Sequence, residues 1–153
     1  MEMRLEIVVL PVSDASRAKS FYVALGWRID SDTTSEDLRV IQMTPPGSRC
    51  SIVFGVGVSS AAPGSAQGLM LSVTDIEAAR ADLRARGIDI SEIFHDDGGV
   101  FTHADPLYRV PGLDSLRRNN TSFASFADPD GNGWLLQENT ARIFSAADRV
   151  PHA

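Results

Sequence analysis

Residues 128–138, DPDGNGWLLQE, place Asp128, Asp130, Asn132 and Gly133 at positions one, three, five and six of a calcium loop of the EF-hand type. Such a loop needs oxygen ligands at alternate positions and a glycine at its sharp bend. Its twelfth position requires a bidentate glutamate; here that position is Asn139, and Glu138 falls one residue early. TSFASFA before the turn and GWLLQ after it have strand chemistry, whereas a calcium loop is flanked by helices. The stretch therefore reads as strand, turn, strand, with the aspartates as turn-formers.

Other residues offer chemistry singly. His95 can act as a general base because its intrinsic pKa lies near working pH, or it can be a hydrogen-bonded residue at a strand end. Trp27, Trp134, Phe54 and Phe123 can stack on a flat ligand or fill a core. Arg117 and Arg118 can grip a carboxylate or phosphate, or stand solvated in a polar loop. No nucleophile–base–acid set is apparent.

Composition narrows the partners. The chain has 153 residues, 43% of them hydrophobic, enough to bury a full core in one compact domain or two small fused modules. Its net charge is -6, and Lys19 is its only lysine, which argues against nucleic acid or an anionic membrane as partner and favours a cationic ligand. The single cysteine, Cys50, excludes an intramolecular disulfide and suits a reducing compartment. MEMRLEIVVLPVSD lacks a secretory pattern, and no run of ~18 apolar residues is present to span a bilayer. A cytoplasmic location is expected.

The elements that must position these side chains come from a repeat. VSDASRAKSFYVALG (12–26) and VTDIEAARADLRARG (73–87) align without gaps at an offset of 61 residues. In each, an apolar run suited to a buried strand precedes an aspartate that can cap a helix start. Apolar residues then recur at helical spacing, and Gly26 or Gly87 stands where a left-handed C-cap is cheapest. WRIDSD, DLRVIQMT and CSIVFGV follow as strands in the first half, and DISEIFH, TSFASFA and GWLLQE in the second. Setting Gly47 against Gly131 gives an offset of 84, so the second half carries 84 - 61 = 23 extra residues. They fall in a Gly- and Pro-rich loop around 96–120. The predicted organisation is a first β-α-β-β-β module at 1–60, a second at 66–140 with that insertion, and a polar tail at 141–153.

LPVSDASRAKSFYVALGW, with FADPDGNGWLLQE far downstream, resembles the vicinal oxygen chelate superfamily of glyoxalase I, extradiol dioxygenases and bleomycin resistance proteins. The resemblance covers residues 4 to about 140. It implies an α+β fold in which two tandem β-α-β-β-β modules form a curved, cup-shaped mixed sheet around a small-molecule site, completed in a homodimer. Enzymatic members hold a divalent metal on His, Glu or Gln side chains from the first and last strands of each module. By spacing, those positions correspond here to Ile7, Ser51, Gly68 and Leu135, which offer no metal site. Gln137 shares a face with Leu135 and binds no metal tightly alone. The expectation is a metal-independent binding protein with no cofactor, contacting its ligand through Phe54, His103, Tyr108, Arg109, Trp134 and Gln137. The insertion carrying His103, Tyr108 and Arg109 would close as a lid. The alternative is an enzyme of this family, either metal-dependent with relocated ligands or an acid–base catalyst using His95.

Overall fold

The computed structural model describes residues 1–98 and 102–140; the tail from residue 141 lies outside them. β1 (Ile7–Val9), α1 (Ala15–Ala24), β2 (Arg28–Ser35), β3 (Leu38–Thr44) and β4 (Ser51–Val56) form the first half. β5 (Leu69–Val73), α2 (Ile76–Ala85), β6 (Phe94–Asp96), a 3-10 turn (Pro106–Tyr108), β7 (Arg109–Pro111), β8 (Ser122–Ala127) and β9 (Gly133–Glu138) form the second.

Both helices start as their aspartates predict. Asp14 and Asp75 are extended (φ -137° and -141°), and their carboxylates accept the backbone N–H of Arg17 and Ala78. Each cap satisfies an otherwise orphaned donor, worth about 1 kcal/mol. Gly26 and Gly87 follow at φ 84° and 83°, a left-handed conformation that a side chain would strain.

Each half builds its own mixed sheet, in the order β1-β4-β3-β2 and β5-β9-β8-β6-β7. The first strand of each pairs parallel with the last, and the remaining pairs are antiparallel. Both helices lie on one side of the sheets, and a continuous core fills the space between. Tyr22, Ile41, Met43 and Phe54 from the first half join Ile76, Leu83, Trp134 and Leu136 from the second. Trp27 and Trp134 meet edge to face at 5.2 Å across the boundary.

The DPDGN turn bolts the halves together. Asp128 accepts the N–H groups of Asp130 and Asn132, the Asn132 amide and the buried Tyr22 hydroxyl, which in turn accepts Trp134 Nε1–H. Asp130 reaches back to Ser13 and Arg17 at the start of α1. These oxygens thus serve the fold as turn and bolt. Gly64 of the connecting segment lies so close that a Cβ would stand 1.9 Å from the Asp130 carbonyl, so only glycine fits there.

Two expectations change. DISEIFH yields a strand only at Phe94–Asp96, with one isolated bridge from Ile90 to Phe126. Residues 88–93 run beside β8 without a regular ladder: the Ser91 N–H donates to the Ser125 carbonyl, the Ser125 N–H donates to Ser91 Oγ instead of a backbone carbonyl, and Arg80 Nε donates to the Ser91 carbonyl. Part of the insertion is also regular: β7 adds an edge strand to β6.

Candidate functional site

Strand alternation decides which side chains are available to a ligand. Leu69, Leu71, Trp134, Leu136, Ala124 and Phe126 point to the helices, so their neighbours Met70, Ser72, Leu135, Gln137, Phe123 and Ser125 occupy the helix-free face. Phe94 and Asp96 of β6 share that face because Phe94 pairs with Phe123, and Arg109 of β7 does so because it pairs with Asp96.

A compact group results. Phe94 and Phe123 stack at 5.9 Å with a 27° interplanar angle. The Arg109 guanidinium lies 4.2 Å over the Phe94 ring, and its Nη1 donates to Ser125 Oγ at 3.1 Å. Gln137, paired with Phe123, donates to the Asn120 carbonyl.

Beside it the insertion folds onto Asp96. The His103 Nδ1 lies 2.9 Å from both Asp96 carboxylate oxygens, and the backbone N–H groups of His103 and Gly98 also donate to them. Burial alone pushes the Asp96 carboxyl up, but these donors outweigh it and hold the group below its ordinary value. The contact with Nδ1 turns Nε2 outward, and the half-exposed ring stacks on Tyr108 at 3.9 Å.

His95 lies on the opposite face from Phe94 and Asp96. It pairs with Ser122 and Val110, and its Nδ1 meets the Gly112 carbonyl at 2.9 Å. The strand period of two separates it from Arg109 and His103, so the histidine beside the guanidinium patch is His103. Phe54 and Trp134 belong to the helix-side core, at 0% and 5% exposure, with Phe54 packed 5.7 Å from Tyr22. Of the sequence-derived contacts, the structure brings Arg109, His103, Tyr108 and Gln137 to one side of the second sheet and leaves His95, Phe54 and Trp134 on the other.

Sequence reasoning passed over Phe94, Asp96 and Ser125. No spacing rule links Asp96 to a histidine seven residues away across a loop. Phe94 was accessible in principle, because fixing the β6–β8 register to Phe123 places it on the same face.

The positions that hold metal in the family follow the helix-free face but carry no suitable donors. Ile7 pairs directly with Ser51. Leu135 pairs with Met70, two residues beyond Gly68. The 84-residue offset fails here because four residues separate Gly47 from Ser51 but only two separate Gly131 from Gly133, the respective strand starts. The second-half counterpart of Ser51 is therefore Gly133. Two aliphatics, a thioether, a hydroxyl and glycine backbone do not fit a divalent cation. Among the described residues no three His, Cys, Asp or Glu converge.

The insertion is pinned at its C-terminal end. Buried Glu138 accepts two bonds from Arg117, and the Ile76 N–H that opens α2 also donates to it; the Arg117 bonds hold its carboxyl below the usual range. Asp114 is held down in the same way by the Arg118 side chain and backbone N–H.

Concavities lie elsewhere in the single chain. One of about 540 Å³ runs between Pro45–Ser48 and β5–α2, and a narrower one of about 230 Å³ leads inward to Trp27, Leu83 and Phe126. On the helix-free face the Arg109 group presents only its upper layer, since Phe94 and Phe123 beneath the guanidinium are buried at 4% and 0% exposure. Apolar residues Ile7 (40% exposed), Val9 (45%) and Met70 (39%) stand bare on the same side at the β1 and β5 edges.

The family model for the Glyoxalase/Bleomycin resistance protein/Dioxygenase superfamily matches residues 4–136. Among solved structures, the chain is similar to TnmS3, an antibiotic binding protein from Streptomyces sp. CB03234, with 27% identity and a TM-score of 0.66 over 90% of this chain and 97% of that one. It is also similar to a glyoxalase/bleomycin resistance protein from the same organism, with 28% identity and a TM-score of 0.64 over 88% and 100%. A superfamily member from Sphaerobacter thermophilus DSM 20745, at 24% identity, has the same fold with a TM-score of 0.65 over 90% and 98%. No curated protein matches the sequence.

Proposed function

The chain belongs to the Glyoxalase/Bleomycin resistance protein/Dioxygenase superfamily, and from that premise we propose that it binds and sequesters a flat small molecule without a metal. The observation that carries this reading is the half-buried Arg109 on the helix-free face, laid over the buried Phe94–Phe123 pair and neighbouring the exposed His103–Tyr108 stack. The exposed His103–Tyr108 stack supplies aromatic contact area and the guanidinium supplies direction, the combination a ligand site needs. Similarity to an antibiotic-binding protein over nearly the whole of both chains supports the same reading. The donor-poor side chains at the metal positions support metal independence.

An open patch does not enclose a ligand, so a second wall is part of the proposal. Ile7, Val9 and Met70 are bare apolar side chains on the same side, and burying them against a second copy removes apolar surface from water. The proposed binding unit is a homodimer, with the insertion closing over the ligand through Asp96, His103 and Tyr108.

Fluorescence titration with polycyclic aromatic probes tests this, before and after exhaustive chelation, alongside sedimentation. Unchanged binding by a dimer is expected. Loss of binding on chelation, restored by stoichiometric zinc, nickel, iron or manganese, overturns metal independence, and a monomer at micromolar concentration overturns the dimer.

A second reading, a metal-free acid–base enzyme, is favoured by one observation, the Asp96–His103 pair, in which a buried carboxylate orients an imidazole. Turnover of a bound ligand that is abolished in His103→Gln while binding persists would establish it.

A further inference from the structure

The helix-free face of the first sheet carries a polar row. Ile41 and Met43 of β3 point to the helices, so Gln42 and Thr44 point away from them. The β2–β3 register slips by one residue at Asp30, between the pairs Ile29–Met43 and Ser31–Gln42. This bulge aims the Asp30 carboxylate at the same face, where it accepts the Thr44 hydroxyl and, at 2.7 Å, Arg28 Nε–H. Thr44 Oγ1 stands 2.7 Å from Ser51 Oγ, and Gln42 Nε2 stands 3.3 Å from that same serine oxygen. Thr44 and Ser51 are buried, so their hydroxyls answer to each other rather than to water.

The charge at one end sets the direction of every bond. Burial alone raises the Asp30 carboxyl, but the Thr44 and Arg28 bonds outweigh it and hold the group below its ordinary value, so it is ionised and only accepts. Thr44 must therefore donate to Asp30, Ser51 to Thr44, and Gln42 to Ser51. Only the amide nitrogen of Gln42 can donate, which turns its carbonyl Oε1 away from the row. No donor among the described residues reaches that oxygen. Its surroundings are apolar: Gln42 pairs with Val53, and Val53 with Val9. A partly desolvated carbonyl beside valines, at the end of an aligned chain of hydrogen bonds, gains more from a donor than one in open water does.

Resting on the reading of a ligand held against the helix-free faces, we propose that Gln42 selects among such ligands as their acceptor: its Oε1 receives an N–H or O–H at the edge of a flat molecule. Asp30, acting through Thr44 and Ser51, is the positioning residue that holds the amide in that sense. Ligands with a donor at that edge are preferred over molecules of the same shape that lack one.

2-Naphthamide and 2-acetylnaphthalene have the same shape and the same carbonyl acceptor, and only the amide donates. With dissociation constants measured by equilibrium dialysis against the full chain, the amide is expected to bind about 3- to 10-fold more tightly, the range for one neutral hydrogen bond. In Gln42→Leu the two bind within about twofold of each other, while the ketone keeps its wild-type affinity and so reports an intact site. Asp30→Asn lies apart from the ligand but can donate to Thr44 and so release the direction of the row. It too is expected to abolish the preference with the ketone unchanged, whereas a purely structural role would lower Tm and leave the preference as it was. Equal affinity of the wild type for both probes, or a preference that survives Gln42→Leu, overturns Gln42 as the acceptor and leaves the site itself standing. A preference that survives Asp30→Asn overturns the positioning row. Failure of both probes to bind the wild type overturns the site and the selection together.

Discussion

The Nδ1 of His103 stands 2.9 Å from both carboxylate oxygens of Asp96, so a single buried side chain in β6 holds the histidine of the insertion. Asp96→Asn keeps the shape but removes the charge and turns one acceptor into a donor facing N–H groups. The expected cost is about 1.5–3 kcal/mol of stability, with faster amide exchange in residues 102–108 than in β8. His95→Ala removes one bond at the other face and is expected to cost about 1 kcal/mol without affecting ligand affinity. Urea unfolding and exchange mass spectrometry check both, and a larger loss of affinity from His95→Ala would move the site to the opposite face.

Acid should loosen the insertion. Asp96, Asp114 and Glu138 all have carboxyls held below their ordinary values by donors from the loop or from its Arg117 and Arg118. A group with a depressed folded pKa binds fewer protons folded than unfolded. Its contribution is therefore complete above the unfolded pKa of about 4 and is lost as pH falls through the lower folded value. Stability measured from pH 6 to pH 2 is expected to be flat down to about 4.5 and then to fall, with protection at 102–118 lost before that in β3 and β4. A fall beginning near pH 6, where histidine titrates, would contradict the assignment.

Much of this fold was legible because its signals are local. Asp14 and Asp75 with Gly26 and Gly87 mark both helices by cap chemistry, and alternation marks β3, β8 and β9. The site was less legible because it depends on which face each strand presents, and that follows from register. Gly47 and Gly131 look equivalent, yet the first turn runs two residues longer before its strand, which makes Gly133 rather than Leu135 the counterpart of Ser51. Phe54 and Trp134 are aromatic in either reading, and only the sheet pairing shows that they face helices. The Asp96–His103 contact crosses a loop and leaves no periodic trace.

Trp134 and Phe54 test that facing directly. Trp134 donates to the Tyr22 hydroxyl and meets Trp27, whereas Phe54 is fully buried against Tyr22. Truncating either to Ala is expected to destabilise by about 3–5 kcal/mol, as for other buried aromatics. The milder Phe54→Leu should lower Tm while leaving affinity for an aromatic probe within about twofold. A tenfold or greater loss of affinity with unchanged Tm would place Phe54 at the ligand.

Tyr22→Phe isolates the bolt between the halves. The hydroxyl donates to Asp128 and accepts from Trp134, and burial first, then the Asp128 charge, pushes its pKa above the ordinary tyrosine value. Removing it leaves the Trp134 N–H without an acceptor and costs about 1–3 kcal/mol.

Glu138→Gln tests whether β9 controls the insertion. The carboxylate, at 2% exposure, takes two bonds from Arg117 and one from the Ile76 N–H, so it joins the end of the loop to the start of α2. Gln keeps one acceptor oxygen for these three donors and sets an amide against the guanidinium. The expected loss is about 2–4 kcal/mol, since a buried partner to a charge is removed. Arg117→Gln should cost less on its own, and the double variant less than the sum, because each single change already breaks the same pair. Strict additivity in urea unfolding would show that the two side chains act independently, and the loop would then need another anchor.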